Sequence, residues 1–456
     1  MHGTTALVLA GGINLGFSVL THNRAKAALP FCGHFRIVDY VLTNLSCSGI
    51  NNVGFLIQYL PGSLIDHIGV GQPWDFDTAN RRIRLMPPFV GMGKTQWFRG
   101  SADAIYQNLD FIEDTRAELV LVVSSDHVYS MDYRPLIAYH RYHNADVTIM
   151  TTRRPPGVVA DRFGYVTAEA SGRVRDFVEK PETSPHDMIS TGVYLFNAAV
   201  LCEHLKATDS EEASGPSAAL GHHLPTCVVE PLVKRGRAFA FPFEGDWEYL
   251  PDLESYVALH YRLLSGSGEA LPQRRHVITN MRDRNLASRP SPHFGRLADV
   301  KQSLISPGCV IEGTVIRSVL SPGVRVEPKA VVRDSIIFHD CHVQQGAHLR
   351  GVVSDKDAVF HAFCSIGGER LDPRKPELRR ITVVGKGAQI LQGVRLGPGE
   401  AIPIKQVVGR TWADRHGHAD SPTPSASPTP SASPTPPASP TPSASTFAQG
   451  GGPRGR

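Results

Sequence analysis

The sequence predicts an α/β domain built on a largely parallel sheet, then a solenoid of short strands, then a tail without a core. Three observations carry this. In the first half, short apolar runs of strand character alternate with helical stretches, the pattern of a sheet covered on both faces. Further on, apolar residues return every six positions, which suits coils of three short strands stacked on one another. The last stretch, Ser421 to Ser445, repeats Ser, Pro, Thr and Ala in a six-residue pattern and has nothing to bury. The boundaries read from these shifts are a sheet domain over 1–271, a linker over 272–290, a solenoid over 291–410 and a disordered tail over 411–456.

Taken in order, Ala6 to Ala10 forms a buried strand that breaks at Gly11 and Gly12. Asn51 to Gln58 reads as a second strand, and the stretch from Gly62 as a helical turn or two. Gly100 and Ser101 open a helix with Ala104, Ile105, Leu109 and Ile112 near helical spacing. A third strand ends at Asp126, a helix spans Tyr133 to Ala145, and a fourth strand follows at Asp146. Ligands of such sheets bind beyond the carboxyl ends of the strands, where Gly11, Gly12 and Asp126 fall. Tyr165 to about Leu264 holds shorter, mixed elements, and Pro272 to Pro290 has charges but no period.

The six-residue columns are Leu304, Val310 and Ile316, then Val331, Ile337, Val343 and Leu349, then Val384, Ile390 and Leu396, with glycines at the turns. The charged run Gly367 to Arg380 interrupts them and is expected to loop out of one coil.

Composition excludes several classes. The net charge of +4 is small for 456 residues and the basic residues are scattered, so nothing suits a nucleic-acid backbone. Seven dispersed cysteines without a Cys-x-x-Cys spacing argue against a disulfide framework or zinc site. No apolar run approaches a membrane span, and no Lys or Arg precedes Arg24. A soluble, cytoplasmic protein is expected.

Glycines at a strand end let backbone N–H groups approach an anion, and a lysine nearby neutralises its charge. Gly11, Gly12 and Lys26 fit this, although a Gly-Gly pair also makes plain turns and Lys26 with Arg24 also reads as solvated surface charge. A lone Asp126 at a strand end starts a magnesium site, since that ion is held by one or two carboxylates plus substrate phosphates. It reads equally as the cap of the next turn.

The run RAKAALPFCGHFRIVDYVLTNLSCSGI, Arg24 to Ile50, resembles the opening signature of bacterial glucose-1-phosphate adenylyltransferases, and the likeness continues through most of the chain. The resemblance implies a Rossmann-like nucleotidyltransferase domain followed by a left-handed parallel β-helix. It implies the reaction of ATP and glucose 1-phosphate to ADP-glucose and diphosphate, in glycogen biosynthesis. Lys26 and Asp126 would be catalytic, with Asp126 the ligand of Mg2+. Nucleotide contacts would fall to Gly11, Gly12, Gln58, Gly100, Ser101 and Asp103, within and beside the family-like segment Trp97 to Asn108. Glu179, Lys180, Ser190 and Gly192 would hold the sugar phosphate. A homo- or heterotetramer with allosteric sites between domains follows from the same resemblance, with no nucleic-acid or membrane partner.

Departures fall at the catalytic centre. The family's Gly-Gly-x-Gly-x-Arg is here Gly11-Gly12-Ile13-Asn14-Leu15-Gly16. Asn14 thus replaces a glycine, and Gly16 the arginine that neutralises the triphosphate. The family's Trp-x-Asp-x-Gly-Thr is here Trp247 to Asp252, with Tyr249 in place of the second magnesium carboxylate. Strand alternation turns Glu248 away from that position. The family's Asp-Phe-Gly-Lys-Asp is unrecognisable around His223 to Cys227, and Asn23 stands where some relatives carry an activator-binding lysine. Two alternatives therefore stand beside the enzyme. One is a catalytically silent regulatory subunit that keeps the sugar and nucleotide pockets. The other is a nucleotidyltransferase for another base or sugar phosphate.

Overall fold

The computed structural model describes residues 3–12, 14–88, 90–91, 94–95, 97–154, 160–183, 186–208, 222–265, 277–368 and 381–409. The Ser/Pro/Thr repeat and most of the charged interruption lie outside the described residues.

The chain opens with β1 (Thr4–Leu9), followed by α1 (Ile37–Cys47), β2 (Asn52–Leu56), α2 (Gly62–Ile68) and β3 (Arg82–Met86). The expected helix after Gly100 is two short ones, α3 (Ser101–Tyr106) and α4 (Leu109–Asp114). Then come β4 (Leu119–Ser124), β5 (His127–Tyr129), α5 (Arg134–Tyr142) and β6 (Val147–Arg153). The mixed region resolves into β7 (Gly164–Ala168), β8 (Val174–Glu179), β9 (Met188–Asn197), α6 (Ala198–Thr208), α7 (Glu230–Arg235), β10 (Ala238–Pro242), β11 (Trp247–Tyr249) and α8 (Leu253–Leu264).

The main sheet runs β8-β7-β9-β4-β1-β2-β3, with β6 between β9 and β10. β1 pairs in parallel with β2 and β4, and β9 runs antiparallel to β4, β6 and β7. Alternation along β1 sends Ala6 and Val8 into one buried layer and Leu7 into the other, so both faces are covered. The register sets Leu9 beside Ser124. That pairing brings the glycine turn after β1 against Asp126 after β4.

From His293 on, strands stack in three parallel sheets of seven, six and six strands, the arrangement of a left-handed β-helix. Inward residues share a register, as in Val326, Val343, Phe360, Ile390 and Val408. The predicted columns hold from Ile337 onward, but the earlier ones are one residue out of phase. Ile311 and Val332 point inward where Val310 and Val331 were expected. Both members of each pair are apolar, and successive side chains face opposite ways, so a period of six alone does not choose between them.

One β-helix sheet packs on the α/β domain. Its outward Val319, Ile336, Val353 and Val383 join Phe17, Leu20, Phe31 and Tyr256 in a single buried cluster. Arg24 crosses this contact, donating to both oxygens of Asp355 at 2.8 and 2.7 Å with both side chains buried. The described part of the linker is docked: Ile278 accepts from Trp74 Nε1, and Asp283 is gripped by Arg36 and His67. None of the seven cysteines, all of them described residues, is in a disulfide. Among the described residues no helix is long and apolar enough to cross a membrane.

Candidate active site

A cleft of about 190 Å³ opens at the carboxyl ends of β1 and β4, lined by Gly11, Gly12, Asn14, Lys26, Ser124 and Asp126 among others. Lys26 and Asp126, predicted from separate motifs, meet here: Lys26 Nζ lies 2.9 Å from Asp126 Oδ2. The lysine is 5% exposed and the carboxylate 32% exposed, so the carboxylate is the partner that solvent and ligand reach. Ser124 Oγ donates to Asp126 Oδ1 at 2.5 Å. Burial by itself would raise the Asp126 pKa. The Lys26 ammonium, His127 and the Ser124 hydroxyl outweigh it and hold the carboxyl well below the usual carboxylate range.

Arg24, adjacent to Lys26 in the motif, does not enter the cleft; it is spent on Asp355. Phe17 and Tyr249 flank Lys26 instead, each ring centroid 5.7 Å from Nζ, within cation–π range. Tyr249 sits opposite His127 where β11 pairs with β5 and stacks on Trp247, with Phe163 at its edge. Burial and the nearby Asp126 raise its phenol, although Arg162 beside it works the other way. Burial lowers the His127 pKa, with Lys26 adding to the fall and Asp126 opposing it. Sequence reading missed Ser124, His127 and Phe17. The first two were within reach, since they flank Asp126 in the same run.

The carboxylates on either side of Tyr249 are engaged elsewhere. Glu248 pairs with Arg262 of α8. Asp252 caps α8 by accepting from Ser255 N at 2.9 Å. Among the described residues no group of three or more His, Cys, Asp or Glu could hold a metal ion, so Asp126 would bind magnesium only together with substrate oxygens.

The glycine loop is shaped by its neighbours. Leu253 N donates to the Gly16 carbonyl at 2.9 Å, and Gly16 N donates to Asn14 Oδ1 at 3.0 Å. A Cβ on Gly16 would lie 2.7 Å from the Pro251 carbonyl oxygen. Gly11 backs onto Gln58, whose Cβ would be 3.3 Å from an added one, whereas Gly12 faces open space. Gln58 itself accepts from Phe98 N at 2.6 Å. Asp103 is buried and holds Arg99 N and Gln107 Nε2 at 2.8 and 2.9 Å, while Ser101 Oγ accepts from Leu224 N. These three shape the rim after Gly100, at the start of α3, through contacts within the protein.

The sugar-side residues form a second group at the ends of β8 and β9. Lys180 is 59% exposed with Nζ 3.9 Å from Glu179 Oε1. Burial raises Glu179, with Lys180 opposing and Glu230 adding to the rise. Ser190 Oγ donates to Tyr194 OH and accepts from Gly192 N. Gly192 has φ +75 and an added Cβ would be 3.5 Å from His127 Cε1, which places this group next to the Asp126 cleft.

Comparison with known proteins gives the context. Residues 5–266 match the family model of nucleotidyl transferases, and 291–391 match the GlmU-like C-terminal hexapeptide model. The chain is 34% identical over 400 residues to the glucose-1-phosphate adenylyltransferase of Desulfitobacterium hafniense (strain Y51), covering 87% of this chain and 97% of that one. The protein of the same name from Bacillus mycoides (strain KBAB4) is 37% identical over 362 residues, 78% of this chain and 92% of its own. The one from Acetivibrio thermocellus is 32% identical over 400 residues, 86% and 91%.

Proposed function

The chain belongs to the glucose-1-phosphate adenylyltransferase family of nucleotidyl transferases, and on that premise we propose that it makes ADP-glucose from ATP and glucose 1-phosphate in the cytoplasm, for glycogen synthesis. The observation that carries this reading is the meeting of Lys26 and Asp126 in the cleft between β1 and β4. A phosphate oxygen of glucose 1-phosphate attacks the α-phosphorus of ATP, and the bond from that phosphorus to the leaving diphosphate breaks. Such a transfer needs positioning and charge neutralisation more than covalent help.

The Gly11 and Gly12 backbone gives the triphosphate close approach, and Lys26 offers its charge from a buried, pre-set position. Asp126 is held ionised, as a metal ligand must be. Gln58, Gly100, Ser101 and Asp103 shape the nucleotide side. Lys180 presents a point charge for the sugar phosphate, with Glu179, Ser190 and Gly192 around it. Mg2+, held by Asp126 with substrate oxygens, would supply further neutralisation of the phosphates. Assembly into a tetramer belongs to the same reading.

A specific observation favours a second reading, a silent subunit that binds the sugar nucleotide and modulates an active partner. Gly16 and Tyr249 remove two charged groups, and both nearby carboxylates are occupied within the fold. Diphosphate release from ATP and glucose 1-phosphate with Mg2+, measured for the chain alone against Asp126→Ala, decides. Turnover above the variant establishes the enzyme. Binding of ADP-glucose without turnover establishes the silent subunit.

A further inference from the structure

On the β-helix, away from the sheet that packs on the α/β domain, a groove of about 350 Å³ is lined by Arg333, His348, Arg350, Ser365 and Gly368, among others. The register explains the grouping. Arg333 pairs with Arg350, and His348 with Ser365, on neighbouring parallel strands, so the two guanidiniums stand one above the other about 4.8 Å apart at their backbones. Like charges facing each other across a sheet are unfavourable unless something lies between or beside them.

The protein supplies little. Arg333 makes no ion pair among the described residues, and its Nε is buried without a hydrogen-bond partner. Arg350 Nε has no hydrogen bond either, and its one ion pair among the described residues is a long one, 3.8 Å to Asp334 Oδ2. Asp334 is taken by Arg317 through its other oxygen. Buried donors left unmade are costly, and here two of them belong to side chains that line a groove of ligand size.

We propose that this groove binds a small phosphorylated anion, its phosphoryl oxygens clamped between Arg333 and Arg350 with His348 and Ser365 at its side. Guanidiniums present paired donors that match phosphate oxygens, which is why this geometry selects a tetrahedral oxyanion over chloride. The site is separate from the proposed reaction and stands whether or not the chain is catalytic.

The test is the thermal midpoint of the full chain against rising inorganic phosphate, with ionic strength held constant by chloride. A ligand of the native state raises the midpoint. The wild type and Lys26→Ala are expected to rise, and Arg333→Gln/Arg350→Gln to need about tenfold more phosphate for the same rise. If the double variant does not fold, Arg333→Gln alone serves, since that guanidinium has no ion pair to lose among the described residues. A wild type that does not respond, or a double variant that responds like wild type, overturns the proposal. So does a response abolished by Lys26→Ala, which would put the phosphate in the catalytic cleft. A double variant that changes oligomeric state by light scattering but keeps its phosphate response overturns it too, marking the face as a contact between copies.

Discussion

Gly16 and Tyr249 differ in how reversible they are. Tyr249 occupies a position on β11 facing His127 and the Asp126 cleft. Tyr249→Asp is expected to strengthen Mg2+ dependence and raise diphosphate release, at some cost in stability from the lost stacking on Trp247. A titration of activity against Mg2+ checks it, and no gain would mean the tyrosine was not what limited the site. Gly16 cannot be reverted so simply. Because a Cβ there meets the Pro251 carbonyl, Gly16→Ala is expected to destabilise by about 1–3 kcal/mol, read from chemical denaturation, and Gly16→Arg to add no activity. Asp126→Ala, by contrast, removes the only carboxylate among the described residues lining the cleft and should lower any turnover by at least about 10²-fold.

Among the elements, α1 and α2 are tied to the linker through one histidine. His67 Nε2 lies 2.5 Å from Asp39 Oδ1, and its Nδ1 lies 3.1 Å from Asp283 Oδ2. Burial alone would lower the His67 pKa, but the two carboxylates prevail and it is raised. Its contribution is therefore complete below the ordinary histidine value of about 6.5 and is lost as pH rises through the raised value. The thermal midpoint is expected to fall over that interval in wild type and to stay flat in His67→Gln. Asp283, held below the usual range against its burial by His67 and Arg36, adds an opposite limb that fails in acid. This network was not legible in the sequence, because Asp39, His67 and Asp283 lie far apart in the chain and each reads alone as a surface charge. The strands that build the cleft were legible, since β1, β2, β4 and β6 are apolar runs bounded by turns. The motifs that carry Lys26 and Asp126 were legible as well, although not that the two side chains would meet. The helices α6 to α8 were not, for short mixed segments carry no sustained period. Nor was the fate of Arg24, which depends on a residue in the other domain.

At the scale of the whole molecule, that arginine joins the two domains. Arg24→Ala leaves a buried carboxylate unpaired and is expected to cost about 3–5 kcal/mol. Arg24→Met with Asp355→Asn should cost less, since the second change removes the stranded charge and keeps an oxygen for Lys356 N, which Asp355 now accepts at 2.7 Å. Thermal unfolding of the two variants compares them. Arg24 and Asp355 are 331 positions apart, and this separation has a consequence during synthesis. The first strand and cleft loop leave the ribosome long before the coil that closes over them has been translated. Until then Phe17, Leu20 and Phe31 lack part of their cover, so the nascent chain carries exposed apolar surface through most of its translation. A message truncated ahead of Asp355 should yield aggregated product rather than a free-standing catalytic half.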